Sequence, residues 1–574
     1  MPEYMTEGIR RTPPPPLAPV QFNIPKAHAE TLDNGLKVVI FEESRLPIVS
    51  YRLAFRSGDA ADPADAVGIT SAAAAMLTEG TEDHSSAALA EKIERLGASL
   101  SANSSDDFTI ISASTLALYN SEILSLIAEV VFRPTFPENE LDLYRRNTIE
   151  HLKFQRSQPG FLAGEQVARL VYGDHPYSRV APKAEDIEKL NRDALAEHHS
   201  RVLIPNNAVL VVVGDVDRGS ILKEINDHFG EWQPGTVETL DHSPSAQLKG
   251  ARLTIVDRPA SAQSNIVLAN AGIARSDPDY FPVLVMNQVL GAGASSRVFM
   301  NLREEKGYTY GAYTRFDAKR FAGDFEATAE VRTAVTGDSL KEFFYELRRI
   351  RDDEVSAQEL IDAKNFLTGV FPIRAETQEG LTNLIVTQEL YELPDDYLQT
   401  YRENVAAITA EDVRRVAGRL IDPDHMAIVI VGDARDILAQ AGEYAADVEV
   451  FDTDGNALDA AQFTSTTEPA DISGNWKLSL DFQGQQVPVT LKIDQFDGNI
   501  TGTLETVLGS GEISSGSVRG NSFSATANTD IQGQSVEFLI NGSLEDQSMK
   551  GTISAPIIPD SLAFTGMREA TQAR

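Results

Sequence analysis

Residues Leu203–Val216 read LIPNNAVLVVVGDV, and residues Leu420–Ala434 read LIDPDHMAIVIVGDA. Each is a short apolar run that ends in Gly-Asp and leads into a segment with helical spacing. Runs of this length bounded by turn residues predict buried strands. Gly214 and Gly432 lie about one domain length apart. Chance likeness of two buried strands is the competing explanation. A tandem duplication accounts better for the shared ending and the shared following helix.

Working outward, Asn34-Gly35 is a turn dipeptide that feeds the apolar run Leu36–Phe41, and a second strand is predicted over Pro47–Gly58. Thr70–Leu77 is alanine-rich and predicts a helix. A further helix is expected over Ser85–Leu96, capped by Ser85 or Ser86. Ser99–Leu116 alternates as strands, and Ser121–Val131 returns to helix. Strands and helices mix without the regularity of a doubly wound sheet, so the fold class expected is α+β, with two tandem homologous domains over 22–240 and 241–452. Residues 453–472 read as a linker. Residues 473–574 carry short strands between Gly turns and predict a small all-β barrel or sandwich, with Trp476 in its core. Residues 1–21 (MPEYMTEGIRRTPPPPLAPVQ) are expected to be a disordered, Pro-rich leader.

Composition excludes several functions. The 574 residues carry 50 basic and 85 acidic side chains, for a net charge of −35. That disfavours nucleic acid or anionic lipid as the main partner, because both require a basic footprint. Solubility explains the acidity, and an acidic chamber that attracts basic peptides is the alternative. With no cysteine there are no disulfides, thiol catalysis or thiolate metal sites. No apolar stretch has the length of a membrane span. The first residues lack the apolar core of a signal peptide, which implies a cytoplasmic protein, or a periplasmic one whose signal was removed or omitted.

The strand segment YRLAFRSGDAADP precedes Val67–Thr81, VGITSAAAAMLTEGT. This arrangement resembles the first domain of the pitrilysin/insulinase family of zinc metallopeptidases. In that family a strand and a turn lead into a helix bearing H-x-x-E-H. Two His one turn apart hold Zn²⁺ and the Glu activates the bound water. Here the five positions are Ser71, Ala72, Ala73, Ala74 and Ala75. The two ligand positions are thus Ser71 and Ala75, and the base position is Ala74. The family's third ligand, a later Glu, falls by count at Glu150 or His151. One such group cannot hold catalytic zinc, so the resemblance implies no metal in this chain. The nine His include no other pair at helical spacing, and His84, His175 and His425 read as surface or turn residues.

The resemblance extends over nearly all of residues 25–450. It includes YGDHPYSR (Tyr172–Arg179), DRPASAQSNIVLANAGI (Asp257–Ile273) and LGAGASSRVFMNLREEKGYTYGAY (Leu290–Tyr313). In the last segment Arg303 and Tyr310 fit the family's Arg–Tyr pair, which the resemblance places against substrate near the zinc. A guanidinium and a phenol can hold a peptide carbonyl and stabilise an oxyanion. The duller alternative is that Arg303 pairs with a nearby acid and that Tyr308 and Tyr310 are half-buried strand residues. The Gly291–Gly293 turn lacks a following G-K-[ST], which rejects a phosphate loop and leaves it a candidate substrate-side turn. Leu96–Ile110 resembles the family's peptide-pairing edge strand, with Ser99, Ser101 and Asn103 as candidate substrate contacts.

The expected function is therefore that of a non-catalytic subunit of a heterodimeric zinc metallopeptidase. Its partner would be a homologous chain with intact H-x-x-E-H, carrying the zinc, and its ligand a peptide. The alternative is a peptide-binding or scaffold protein with no proteolytic role. A self-sufficient enzyme with an unrecognised site is the remaining reading.

Overall fold

In the computed structural model, residues 22, 24–237, 248–464 and 469–569 are described, the last span without 483–484, 497, 507–508, 532–533, 546 and 556–560. The Pro-rich leader lies outside the described residues.

The first sheet contains β1 (His28–Thr31), β2 (Lys37–Glu42), β3 (Ile48–Phe55), β4 (Ser99–Ser104), β5 (Thr109–Leu116) and β6 (Ala208–Gly214), in the order β1-β2-β6-β3-β5-β4. The Asn34-Gly35 turn joins β1 to β2. Gly35 takes φ 90°, a left-handed value that costs glycine little. The Asn34 side chain donates to the Phe229 carbonyl at 2.7 Å and accepts from Leu36 N at 3.1 Å, which ties the turn to the core.

The second sheet contains β7 (Arg252–Asp257), β8 (Gln263–Ala271), β9 (Thr309–Ala318), β10 (Gly323–Arg332), β11 (Ala427–Gly432), β12 (Asp447–Phe451) and β13 (Ala457–Leu458). Its order is β13-β12-β7-β11-β8-β10-β9. The duplication read from the two Gly-Asp strands appears in the topology. β6 runs parallel to β2 and antiparallel to β3, as β11 does to β7 and β8. The correspondence continues outward, so that β4 and β9 are the matching free edges of their sheets.

β6 and β11 are buried at every residue, and the reason is an exchange between the halves. Helix Pro159–Tyr172, from the first half, packs Leu162, Val167 and Val171 against Val267, Ala269 and Val429 of the second sheet. Helix Gln378–Leu390, from the second half, packs Leu381 and Ile385 in one core with Ala54, Val209 and Val211 of the first. Each sheet is thus covered on one face by its own helices and on the other by a helix from the opposite half. A strand covered on both faces reads as a continuous apolar run, as these two do.

The C-terminal strands close into an eight-stranded antiparallel barrel: β14 (Gly474–Phe482), β15 (Gln485–Phe496), β16 (Asn499–Thr506), β17 (Gly509–Arg519), β18 (Ser522–Ile531), β19 (Gln534–Glu545), β20 (Ser548–Ser554) and β21 (Leu562–Arg568). Closure through β14 and β21 removes the free edges. Trp476 is fully buried in its centre and donates from Nε1 to the Ile472 carbonyl at 2.8 Å. Within the stretch read as a linker, β13 pairs with β12, and Ile472 belongs to the barrel core.

Candidate functional site

The alanine tract forms helix Ile69–Met76. Its first turn leaves backbone donors without partners inside the helix. Asp62 supplies them, accepting from Gly68 N at 2.6 Å, Thr70 N at 3.2 Å and Thr70 Oγ1 at 2.5 Å. Thr70 Oγ1 also meets His198 Nε2 at 2.8 Å. Burial pushes the Asp62 carboxyl up to about 6, against the pull of Thr70. Burial, with the positive charge of Arg201, pushes the His198 imidazole down to about 4.

Ala72, Ala73 and Ala74 are buried, while Ser71 and Ala75 are half-buried. Ser71 Oγ donates to Asp59 at 2.9–3.0 Å, and Ser104 Oγ, from β4, donates to the same carboxylate at 2.7 Å. Burial raises the Asp59 pKa, and the two hydroxyls act against that rise. A serine–aspartate contact therefore stands at the position that the sequence resemblance assigns to the family's first zinc ligand.

Glu150 and His151 do not complete a metal site. Both are exposed on helix Glu138–Arg156, and Glu150 pairs with Lys153 at 2.9 Å. The same helix brings Tyr144 within electrostatic reach of Asp59 and Asp62, and burial pushes its phenol up to about 12. Serine and alanine offer neither imidazole nor carboxylate, and no group of three His, Asp or Glu among the described residues has the geometry to hold a metal ion. The donor set does not fit zinc.

Of the surface or turn positions read for His175, the structure shows a turn that is buried. The residue is only 5% exposed, and its Nδ1 accepts from Tyr177 N at 3.1 Å. His84 is partly covered and pairs with Glu129 at 2.7 Å, whereas His425 is exposed.

Arg303 and Tyr310 come together through the Arg303 side chain and the Tyr310 backbone, not side chain to side chain. Arg303 lies in a π-helical turn, Met300–Glu305, with its guanidinium 5.2 Å from the Phe299 ring centre. Its Nε donates to the Tyr310 carbonyl at 3.0 Å, and it also pairs with the neighbouring Glu304. Tyr310 sits in a bulge of β9, where the register with β10 shifts between Ala329 and Val331. Thr309 Oγ1 fixes the bulge by donating to the Glu330 carbonyl at 2.6 Å. A bulge re-aims a strand side chain, and Tyr310 is 92% exposed. Beside it, the Tyr313 ring lies over Gly311, where a Cβ would stand 2.6 Å from the ring and would have to push it aside.

Gly291 has a packing role. A Cβ would lie 2.4 Å from Thr314 N, whose N–H donates to the Gly291 carbonyl at 3.0 Å. Gly293 has no such close neighbour. Ser99, Ser101 and Asn103 are all exposed along the edge strand β4, which among the described residues pairs only with β5. Asp59, Ser104, Asp62, Thr70, His198 and Tyr144 were missed by sequence reasoning. The Asp-Pro turn before the helix was the one available signal, and it pointed to Asp62.

Residues 37–181 match the insulinase (peptidase family M16) domain, and residues 189–367 match the M16 inactive domain. Together the matches cover more than half of the chain. An uncharacterized zinc protease, YmxG, of Bacillus subtilis is 22% identical over 404 residues, covering 70% of this chain and 97% of that protein. A non-peptidase homolog, YmxG, of Helicobacter pylori is 24% identical over 385 residues, covering 66% and 88%. A Pseudomonas fluorescens M16 inactive domain structure superposes with a TM-score of 0.67 at 27% identity, covering 71% of this chain and 98% of that one. A Helicobacter pylori protease structure shares the fold, with a TM-score of 0.65 at 20% identity over 71% of this chain and all of that one. The chain belongs to the insulinase (M16) peptidase family, as an inactive member.

Proposed function

We propose that this chain is the non-catalytic subunit of a heterodimeric zinc metallopeptidase. It closes a chamber over a homologous subunit that carries H-x-x-E-H and its zinc, and it presents Arg303 and Tyr310 to the peptide substrate in trans. The observation that carries this reading is the exposure of Tyr310, 92%, on a bulged edge strand beside Arg303. Among the described residues the Tyr310 side chain has no hydrogen bond or ring contact, so their packing does not account for its placement. An exposed tyrosine with a neighbouring guanidinium suits a site completed by a second molecule.

The alternative is a peptide-binding or scaffold protein with no proteolytic role. It accords with the name non-peptidase homolog carried by the Helicobacter pylori relative. The exposed edge β4 serves either reading, because backbone pairing of a peptide requires no catalysis.

Mixing decides between them. The chain is combined with a homologous H-x-x-E-H subunit, and particle mass and cleavage of a quenched fluorescent peptide library are recorded together. A one-to-one particle that cleaves where the separate chains do not supports the subunit reading. Absence of a mixed particle rejects it in favour of the scaffold reading.

A further inference from the structure

The loop after β7, Arg258–Ala262, has no part in the reading above, although its Pro-x-x-x-Gln turn stands out in the sequence. It is held firmly. Arg258 N donates to the Gly432 carbonyl at 2.7 Å, and Asp433 Oδ2 accepts from Ala260 N at 2.9 Å. Ala260 is thereby kept at φ 61°, a left-handed conformation unfavourable for a residue with a Cβ. Such conformations persist only where the surroundings impose them, and they cluster at ligand sites.

Above this loop the barrel meets the second domain across a cleft of about 320 Å³, at the small end of the range for ligand pockets. Arg258, Asn265 and Glu330 lie on the domain side, and Asn528, Glu537 and Leu539 on the barrel side. Asn528 and Glu537 are register partners on adjacent strands, so the barrel contributes a fixed pair of polar side chains. Thr526, two residues away on β18, is buried although it faces outward, and it lines the same cleft.

Arg258 is the unusual member. Among the described residues its guanidinium makes no hydrogen bond or ion pair. Burial lowers its pKa, with only the more distant charge of Glu537 acting the other way. A cation removed from water without a bonded anion is costly. Asn265 adds a buried Oδ1 with no hydrogen-bond partner among the described residues. Glu330 and Glu537 line the same space, and the whole chain carries −35. A dianion such as phosphate would meet two carboxylates for one guanidinium. A ligand with one carboxylate and one cation matches all three charged groups.

We propose that this cleft binds the carboxy-terminal residue of a basic peptide, its carboxylate on Arg258 and its cationic side chain facing Glu330 and Glu537. The site is built from the second domain and the barrel together, which gives the appended barrel a ligand-binding role. It does not depend on the chain completing another subunit's active site.

The test is fluorescence anisotropy with the full chain and amino-terminally labelled hexapeptides. The peptides end in Lys with a free carboxylate, in Lys-amide, or in norleucine with a free carboxylate. Loss of one charge-assisted contact corresponds to about tenfold to a hundredfold weaker binding. The free Lys peptide is expected to bind, with the amide and the norleucine peptide each weaker by that factor. Arg258→Gln should abolish the distinction between acid and amide. Glu330→Gln combined with Glu537→Gln should abolish the distinction between Lys and norleucine, with Glu537→Gln alone, at an exposed barrel position, reducing it, and these variants remain informative if Arg258→Gln fails to fold. Equal binding of acid and amide, absence of binding by the free Lys peptide, or a double Glu330→Gln, Glu537→Gln variant that keeps the full Lys preference would each overturn the proposal.

Discussion

Lys319 Nζ lies 2.6 Å from Asp106 Oδ2, joining the tip of the β9–β10 hairpin in the second domain to the tip of the β4–β5 hairpin in the first. The ammonium also stands 4.8 Å from the Tyr177 ring centre and 5.3 Å from that of Tyr172. Next to it, Arg320 N donates to Asp107 Oδ2 at 2.9 Å. The edge strand β4 and the edge strand that bears Tyr310 are therefore tied end to end through their turns. The lysine is largely covered and the aspartate is partly exposed, so solvent screening moderates the pair. A double-mutant cycle with Lys319→Met and Asp106→Asn, read by urea unfolding, should give a coupling of about 0.5–1.5 kcal/mol. Strict additivity would mean that the pair does not join the domains energetically.

Asp324 gives a pH-dependent test. It is 4% exposed, accepts from the Tyr172 hydroxyl at 2.6 Å, and has a second oxygen with no partner among the described residues. Burial pushes its carboxyl up to about 6, with the negative charge of Glu326 adding to the effect. A carboxyl raised in the folded state contributes stability that is complete below its ordinary value of about 4 and is lost as pH rises through 6. Asp324→Asn, which keeps an acceptor for Tyr172, should therefore stabilise the chain by about 1–3 kcal/mol at pH 8 and by almost nothing at pH 4. Thermal unfolding at the two values checks this, and a gain that is equal at both or larger at pH 4 would contradict it.

Putting a glutamate back into the motif helix should be costly. Ala74 is 2% exposed, and a carboxylate there would be buried without a designed partner. Ala74→Glu is expected to destabilise by about 2–4 kcal/mol, and Ala75→Glu, at a half-buried position, by clearly less. Equal and small effects in a denaturant titration would show that the helix still has room for the family's base.

The barrel has a closed core of its own, centred on Trp476. Trp476→Ala should lower barrel stability by about 3–5 kcal/mol. In differential scanning calorimetry an early transition should separate while the main transition of the two sheet domains stays in place. A uniform downward shift of a single transition would show that barrel and domains unfold as one.

Much of this architecture was legible, for reasons that particular residues make plain. Ala208–Gly214 and Ala427–Gly432 read as buried strands because helices cover them on both faces. Of Ser85 and Ser86, the two caps expected, Ser85 is the one that accepts from Ala88 N. Asn34-Gly35 marked the first hairpin because that turn requires a positive φ. The helix exchange was not legible. An apolar stripe on Pro159–Tyr172 announces that something covers it, without saying which sheet. The bulge that exposes Tyr310 depends on a one-residue slip against β10, which leaves no periodic trace. Counting located the third ligand at Glu150 or His151, but helical phase turns both into solvent and brings Tyr144 near the motif. His175 looked like a turn residue because it precedes a proline, and the fold closes over that turn.

The most direct measurement is peptide cleavage by the mixed particle containing either the native chain or one with Arg303→Ala or Tyr310→Phe. Arg303 and Tyr310 are surface-exposed side chains, so both variants should fold and assemble normally, as particle mass would verify. The account predicts activity only in the mixture, and a fall of about a hundredfold or more in kcat with either variant. Full activity with both variants, or chelator-sensitive cleavage by this chain alone, would contradict it.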